Sequence, residues 1–185
     1  MATNQNVMTP QFRASFANVF RPGKAMEDGE AKYGVMMLFP KDADLSALKK
    51  AAHAAAVEKW GTDTAKWPKN MRSPFRDQGE KEGEAYVKGA VFVTATSKQK
   101  PGLVDARNQP IIDELEFYSG CYARATVRAF AYDKAGNRGV AFGLQNVQKI
   151  KDGEPLAGRT RAEDDFTPLD DADAGGGTDA TSIFG

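Results

Sequence analysis

Cationic and aromatic side chains alternate with small side chains between Gly120 and Asp133. One set of alternate positions holds Tyr122, Arg124, Thr126, Arg128, Phe130 and Tyr132, and the other holds Ala123, Ala125, Val127, Ala129 and Ala131. A period of two predicts a β-strand whose two faces differ. The face with the small side chains packs against the protein, and the face with the long side chains, called the large face below, contacts a ligand. Because guanidinium groups pair with phosphates and rings stack on bases, the large face suits single-stranded nucleic acid. The alternative is a half-buried sheet with its rings in the core and its arginines at the rim.

A second stretch, from Tyr86 to Lys98, alternates in the same way. Its large face carries Lys88 and Phe92, and Lys98 and Lys100 extend it into a turn. We expect this strand to align with the first into one binding platform. The two strands and the turn supply these predicted DNA-binding residues: Lys88, Phe92, Lys98, Lys100, Tyr122, Arg124, Arg128, Phe130 and Tyr132.

No periodicity is visible between Thr62 and Glu84, where aromatic and basic residues lie among prolines, glycines and an asparagine. Loops longer than about 12 to 15 residues are usually binding loops or disordered segments. The mixture of rings and cations favours binding. Trp67 and Arg76 from this loop therefore join the predicted DNA-binding residues.

The remaining pattern predicts a mainly β chain with one or two helices. Strands are expected at 12–20, with Phe12, Ala14 and Phe16 on one face, at 33–39 as a central strand, and at 139–150 after a tight hairpin at 134–137. Between the strands, a helical spacing of apolar residues begins near Leu45, after Asp42 or Asp44 as a cap, and stops at Gly61.

Charge divides the chain into two segments although the formal net charge is zero. Residues 1–161 hold 25 basic and 18 acidic residues, whereas residues 162–185 hold seven acidic residues and no Lys or Arg. We therefore expect a folded binding domain over 1–161 and a flexible acidic tail over 162–185. The tail could shield the basic face and bind replication or recombination proteins, or act only as a solubilising segment. Its predicted partner-binding residues are Asp170, Asp171, Asp173, Ile183 and Phe184.

The residue types present give little reason to expect enzyme activity. The single histidine, His53, shares a predicted helix with Lys49 and Lys50, so a catalytic triad has no obvious base. The single cysteine, Cys121, cannot form an internal disulfide and is expected to be a small packed side chain. We predict no enzyme activity, no cofactor and no metal site.

The start of the sequence lacks the basic and apolar regions of a signal peptide, and no apolar run has the roughly 18 residues of a membrane span. These features predict a cytoplasmic protein with no membrane partner.

Several short stretches together resemble a family of bacteriophage single-stranded DNA-binding proteins that was first catalogued as a domain of unknown function. They are Ser73-Pro74-Phe75-Arg76-Asp77, Lys100-Pro101-Gly102, Phe117-Tyr118-Ser119-Gly120-Cys121-Tyr122, Gly136-Asn137-Arg138-Gly139-Val140-Ala141, Gly143-Leu144-Gln145-Asn146-Val147-Gln148 and Asp164-Asp165-Phe166. The resemblance implies an OB-fold-like five-stranded barrel with a long loop insertion and an acidic tail. It also implies coating of single-stranded DNA during phage replication, recombination and repair.

Two rival functions stay open. A strand-annealing or recombination mediator would use the same surface but promote pairing, and an acidic-tailed assembly protein would not bind nucleic acid at all. Weak binding of double-stranded DNA, in addition to binding of single-stranded DNA, also stays open. The tail also ends on Gly185 after Phe184, whereas the acidic tails of similar proteins often end on phenylalanine.

Overall fold

The computed structural model describes residues 6–23, 30–83, 85–156 and 166–169. These residues form eight strands and one helix, in the order β1 Val7–Met8, β2 Phe12–Asn18, β3 Tyr33–Leu38, α1 Ser46–Trp60, β4 Arg76–Asp77, β5 Val91–Ser97, β6 Gly102–Val104, β7 Tyr122–Lys134 and β8 Asn137–Lys151. Two short 3₁₀ turns, Thr64–Lys66 and Gln78–Glu80, lie between α1 and β5. No helix among these residues is long and apolar enough to cross a membrane.

Five of the strands close a ring through their backbone hydrogen bonds. Going round it, β2 pairs with β3, β3 with β5, β5 with β8, β8 with β7, and β7 with β2. The β5–β8 pair is parallel and the other four are antiparallel. The short strands β1, β4 and β6 add to β7, β5 and β8. The prediction of a mainly β chain built on a five-stranded barrel is confirmed.

The small residues of β7 face the inside of this barrel. Ala123, Ala125, Val127 and Ala129 are at most 2% exposed and pack with the inward residues of β8, which include Phe142 and Leu144. Small side chains on one strand leave room for large ones on the facing strands, because a core packs at near-crystalline density. Cys121 lies in the same core, and burial raises the pKa of its thiol. The expectation of a small packed cysteine side chain is confirmed.

Helix α1 covers one end of the core. Its buried residues Leu48, Ala52, Ala55 and Ala56 recur at helical spacing, and Asp44 Oδ1 accepts a hydrogen bond from the Ser46 N–H at 3.0 Å. Gly61 follows the last turn with a φ of 85°, and its N–H donates to the Val57 carbonyl. The helix therefore starts and stops where the sequence predicted, but Leu45 holds the N-terminal capping position without a side-chain hydrogen bond, so the prediction of Asp42 or Asp44 as the cap is wrong.

Strand β2 departs from strict alternation at Phe16. The register shifts between Ser15 and Asn18, and Phe16 takes a φ of 45°. Such an irregularity inserts an extra residue and reverses the side chains that follow it. Phe16 is consequently 60% exposed while Ser15 and Val19 are buried. The prediction that Phe16 shares the inward face with Phe12 and Ala14 is wrong.

The second predicted strand is shorter than the sequence pattern indicated. Strand β5 begins at Val91, and residues 85–90 form a turn that is held against the barrel by Gln78. The Gln78 side chain is 2% exposed, donates to the carbonyls of Phe39 and Val91 at 2.8 and 2.9 Å, and accepts from the Val87 N–H at 3.0 Å. Side-chain hydrogen bonds from one residue thus replace the missing strand pairing.

We expect replacement of Gln78 by leucine to destabilise the fold. The substitution leaves the Val87 N–H and two carbonyls without their buried partner, which should lower the free energy of unfolding by about 1 to 3 kcal/mol. Urea denaturation followed by circular dichroism measures the change. Gln99→Leu is the matched control, because Gln99 is exposed and its side chain makes no hydrogen bond among the described residues. Equal stability of the two variants would contradict this role of Gln78.

Candidate nucleic-acid interface

Strand β7 presents its large residues on the outside of the barrel, as its alternation predicted. Arg124, Arg128 and Phe130 are exposed, whereas Tyr122 and Tyr132 are half-buried. Phe130 is 43% exposed, which is unusual for a phenylalanine in the middle of a long strand. The outward side of β7 therefore supplies both cations and an accessible ring.

Strand β8 contributes small residues directly opposite the large ones of β7. Tyr132 pairs with Gly139, Phe130 with Ala141 and Arg128 with Gly143. On the other side of β8, Gly143 pairs with Thr96 of β5. We call the surface formed by Thr96, Arg128, Phe130, Tyr132, Gly139, Ala141 and Gly143 the open face. Because the centre of the open face carries almost no side chain, a flat ligand can approach the sheet there.

Gly139 is required at one end of the open face by close packing. A Cβ added there would lie 2.5 Å from the Arg72 carbonyl oxygen, 2.9 Å from the Tyr132 hydroxyl and 3.0 Å from the Arg72 Cβ. The Arg72 backbone pairs with this part of β8, since its N–H donates to the Arg138 carbonyl and its carbonyl accepts from the Val140 N–H. The Arg72 side chain therefore starts on the open face, beside Tyr132.

Phe130 lies between Gly143 and helix α1. Its Cε1 is 4.0 Å from the position that a Cβ would take at Gly143. The ring also lines a cleft of about 280 Å³ together with Ala55, Glu58, Lys59 and Ala131. The cleft leaves space beside the ring, and Lys59 is one of its lining residues.

The cations near the open face differ in how far they are already paired. Within the described part of the chain, the side chains of Arg72 and Arg128 have no hydrogen-bond or ion-pair partner. By contrast, the Arg124 Nε donates to Gln148 Oε1 at 2.7 Å, and the Lys98 Nζ lies 3.2 Å from Glu30 Oε2. An arginine that has no local partner can pair with a phosphate without first losing another contact.

Tyr122 lies at the far end of β7 and is covered from two sides by cations. The Arg13 guanidinium carbon is 5.9 Å from the ring centroid and the Lys151 Nζ is 4.9 Å from it. Arg13 also donates to the carbonyls of Gly120 and Glu154. Tyr122 thus belongs to a cationic cluster with part of its ring accessible, while the open face lies further along the strand.

The prediction that Phe92 offers an open ring is wrong. Phe92 is 2% exposed and packs with Met36 and Leu38, while the Arg76 guanidinium carbon and the Lys81 Nζ lie 5.4 and 5.6 Å from its ring centroid. The predicted alignment of the two strands is also wrong, because β8 separates β5 from β7. Lys88 lies in the turn before β5 instead of on a strand. Periodicity in the sequence identifies a face but not its neighbours in the sheet.

The loop residues have mixed roles. The Trp67 indole N–H donates to the Gly61 carbonyl at 2.8 Å, and its ring packs on His53 at a centroid distance of 5.4 Å, so it closes the end of α1. Arg76 pairs with Glu80. Lys100 lies 5.8 Å from the Phe20 ring centroid and is exposed.

The predicted DNA-binding residues do not include Arg72, beside the open face, or four residues of the open face itself, Thr96, Gly139, Ala141 and Gly143. The signal for Gly143 is present in the sequence, since Gly139, Ala141 and Gly143 alternate with Val140, Phe142 and Leu144. Arg72 is one of the cations of the predicted binding loop, but its place beside Gly139 depends on that loop pairing with a distant strand. The predicted tail residues Asp170, Asp171, Asp173, Ile183 and Phe184, and the expected boundary between 161 and 162, lie outside the described residues. Within those residues, no group of three or more His, Cys, Asp or Glu side chains could hold a metal ion.

Comparisons with known proteins relate the chain to phage DNA-binding proteins. The sequence model of a family described as "Enterobacter phage Enc34, ssDNA-binding protein" matches residues 5–176. Protein p50 of Acyrthosiphon pisum secondary endosymbiont phage 1 is 30% identical over 155 residues, which cover 79% of this chain and 83% of that protein.

Two solved structures share the fold. The single-stranded DNA-binding protein from bacteriophage Enc34, solved in complex with ssDNA, matches with a TM-score of 0.67 and 20% identity, over 82% of this chain and 89% of that one. The single-stranded DNA-binding protein gp2.5 of bacteriophage T7 matches with a TM-score of 0.59 and 17% identity, over 87% of this chain and 99% of that one.

The different burial of Phe92 and Phe130 predicts effects of different size on stability. Phe92→Ala should lower the free energy of unfolding by about 3 to 5 kcal/mol, because it leaves a cavity under Met36 and Leu38. Phe130→Ala should lower the free energy of unfolding by only about 1 kcal/mol, because much of that ring is already in water. Urea denaturation of both variants measures the difference. A Phe92→Ala protein with the stability of the parent would place that ring outside the core.

Proposed function

We propose that this chain, which belongs to the Enc34 family of phage single-stranded DNA-binding proteins, binds single-stranded DNA without sequence preference and covers it during phage DNA replication. The observation that carries the proposal is the open face, where the exposed Phe130 ring lies on β7 between Arg128 and Tyr132, and Arg72 pairs with Gly139 at the edge. Recombination and repair expose the same kind of strand and are included. The host cytoplasm, where phage DNA is copied, is the proposed location.

The chemistry of the open face matches what single strands offer and duplexes conceal. Every base has a flat face that can stack on an aromatic ring, and this stacking is worth about 1 to 3 kcal/mol per base whatever the sequence. In a duplex those base faces are already stacked on one another. An accessible ring such as Phe130 therefore favours single strands, while arginines alone would bind both forms.

The proposed binding residues follow β7 and its neighbours. Arg128, Phe130 and Tyr132 lie on the open face, Arg72 lies at its edge, and Tyr122 with Arg124 continues the path along the strand. Lys98 and Lys100 flank it as exposed cations after β5. Arg76 and Lys88 are proposed as outlying phosphate contacts only. Trp67 and Phe92 are assigned packing roles, because each ring is held by the protein itself.

Strand annealing is the second candidate function, since the same surface would hold two strands in turn. No observation in the described residues favours it over simple coating. An annealing assay with two complementary oligonucleotides distinguishes the two functions, because a coating protein slows pairing and an annealing protein accelerates it. We propose no enzymatic step for this chain.

Binding of a fluorescent oligo-dT, measured by anisotropy with and without duplex competitor, tests the proposal. We expect Phe130→Ala to weaken binding by about 1 to 3 kcal/mol, because a stacking partner is lost. We expect log affinity to fall with log salt at a slope of roughly −2 to −3, as for three or four neutralised phosphates on a single strand. Arg128→Ala should make that slope shallower.

Matched variants outside the open face serve as controls. Phe16→Ala removes another exposed phenylalanine from a strand, and Lys50→Ala removes an exposed cation from α1. Both should bind like the parent. If Phe16→Ala weakens binding as much as Phe130→Ala does, the open face is not the specific contact. If the intact chain ignores oligo-dT or a duplex competes equally well, the proposed function fails.

The acidic tail is proposed to compete with DNA and to contact replication proteins when DNA displaces it. Seven acidic residues in 162–185 match the formal charge of +7 on residues 1–161. Because the tail is tethered, its local concentration near the basic surface can reach the millimolar range. Asp170, Asp171 and Asp173 would compete for arginines, and Ile183 with Phe184 would contact the partner protein.

Deleting residues 162–185 should tighten binding of oligo-dT at low salt and have no effect at high salt. The reason is screening, which limits charge attraction to about 8 to 10 Å near physiological ionic strength. A full-length variant with all seven tail carboxylates changed to amides is the control, and it should behave like the deletion. Unchanged affinity at low salt would contradict competition by the tail.

A further inference from the structure

Gly143 is the central residue of the open face, and the fold does not need a glycine there. Its φ is not in the left-handed region, and the atoms nearest to an added Cβ would be Arg128 O at 3.7 Å, Thr96 O at 3.9 Å and Phe130 Cε1 at 4.0 Å. Those are ordinary van der Waals distances. Glycine in a strand interior weakens the strand, so stability by itself favours a side chain at this position.

Gly139 on the same strand shows the opposite situation. There an added Cβ would lie 2.5 Å from the Arg72 carbonyl oxygen, so packing excludes any side chain. The Phe130 ring does not impose a similar restriction on Gly143, because a Cβ fits beside it at 4.0 Å. The bare backbone at Gly143 is therefore unexplained by the contacts of the protein.

The groups around Gly143 are those that a nucleotide uses. Arg128 and Thr96 lie on either side of it in the same cross-strand row, and the exposed Phe130 ring is adjacent along β7. Arg128 has no partner among the described residues. A planar ligand lying on the Gly143 backbone would contact the Phe130 ring, and an anionic group attached to it would be within reach of Arg128.

We propose that Gly143 is the floor of a nucleobase subsite. One base of single-stranded DNA lies over its backbone and against Phe130, and the adjoining phosphate pairs with Arg128. This inference rests on the proposed function and adds to it a residue whose lack of a side chain makes space for a base. A long side chain at position 143 would occupy the space of the base and leave the phosphate contact in place.

The test compares base-dependent and base-independent binding in one variant. Gly143→Leu is titrated with a labelled oligo-dT and with an abasic oligonucleotide of the same length, which keeps the phosphates and lacks the bases. We expect about a tenfold loss of affinity for oligo-dT, the size of one lost stacking contact. We expect less than about a twofold change for the abasic strand. Ala47→Leu, which adds a leucine at an exposed position of α1, is the matched control and should change neither affinity.

Equal affinity of Gly143→Leu and the parent for oligo-dT would overturn the subsite while leaving the proposed function intact. An equal loss on both oligonucleotides would also overturn it, since the substitution would then block the DNA backbone. If the leucine variant does not fold, Gly143→Ala takes its place in the test. We expect that variant to lose about twofold in affinity for oligo-dT but not for the abasic strand. No such selective loss would contradict the subsite. Failure of the parent to bind oligo-dT would instead refute the proposed function, so the two failures are distinguishable.

Discussion

The antiparallel pairing of β7 with β8 is the interaction on which the rest of the structure depends. It runs from Tyr122 opposite Lys151 to Lys134 opposite Asn137, the longest ladder in the described chain. On its other edge, β8 also pairs with β5 and β6. Strand β7 also pairs with β2, which closes the ring. The same register sets Arg128, Phe130 and Tyr132 opposite Gly143, Ala141 and Gly139. Shifting it by one residue would turn every large side chain of β7 into the core.

The segment between α1 and β5 decides which part of the outer surface remains open. Its residues cover the outward side of β3 and of the start of β5, where Met36, Leu38 and Phe92 form a small separate cluster with Tyr86 and Leu156. Gln78 and Asp77 hold this cover in place, and two backbone N–H groups, of Gly79 and Gly89, lower the pKa of the Asp77 carboxyl. No comparable segment among the described residues covers Arg124, Arg128 and Phe130 on the outward side of β7, which leaves these side chains available to a ligand.

The distribution of ion pairs explains why net charge is a poor guide to the interface. Arg21, Arg76, Lys98, Arg138 and Lys149 each lie within 3.3 Å of a carboxylate. The first four of these pairs are exposed. Exposed ion pairs contribute roughly 0 to 1 kcal/mol, so these four can be exchanged for phosphates at small cost. The side chains of Arg72 and Arg128 have no ion-pair partner among the described residues that a phosphate would have to replace. Affinity from these two arginines therefore requires no rearrangement of the protein.

The sequence by itself determined the elements and their faces. The alternation of β7 predicted which residues point outward, the helical spacing and Gly61 predicted α1, and the buried Cys121 followed from the same alternation. These are local properties, because side-chain direction along a strand or helix repeats with a fixed period. The hairpin predicted at 134–137 also placed β8 beside β7 correctly. Only the tertiary structure decided that β5 pairs with β8 and does not contact β7 as a neighbouring strand. It also buried Phe92, exposed Phe16 and brought Arg72 to Gly139. Each of those outcomes depends on contacts between residues far apart in the chain, which a local period does not encode.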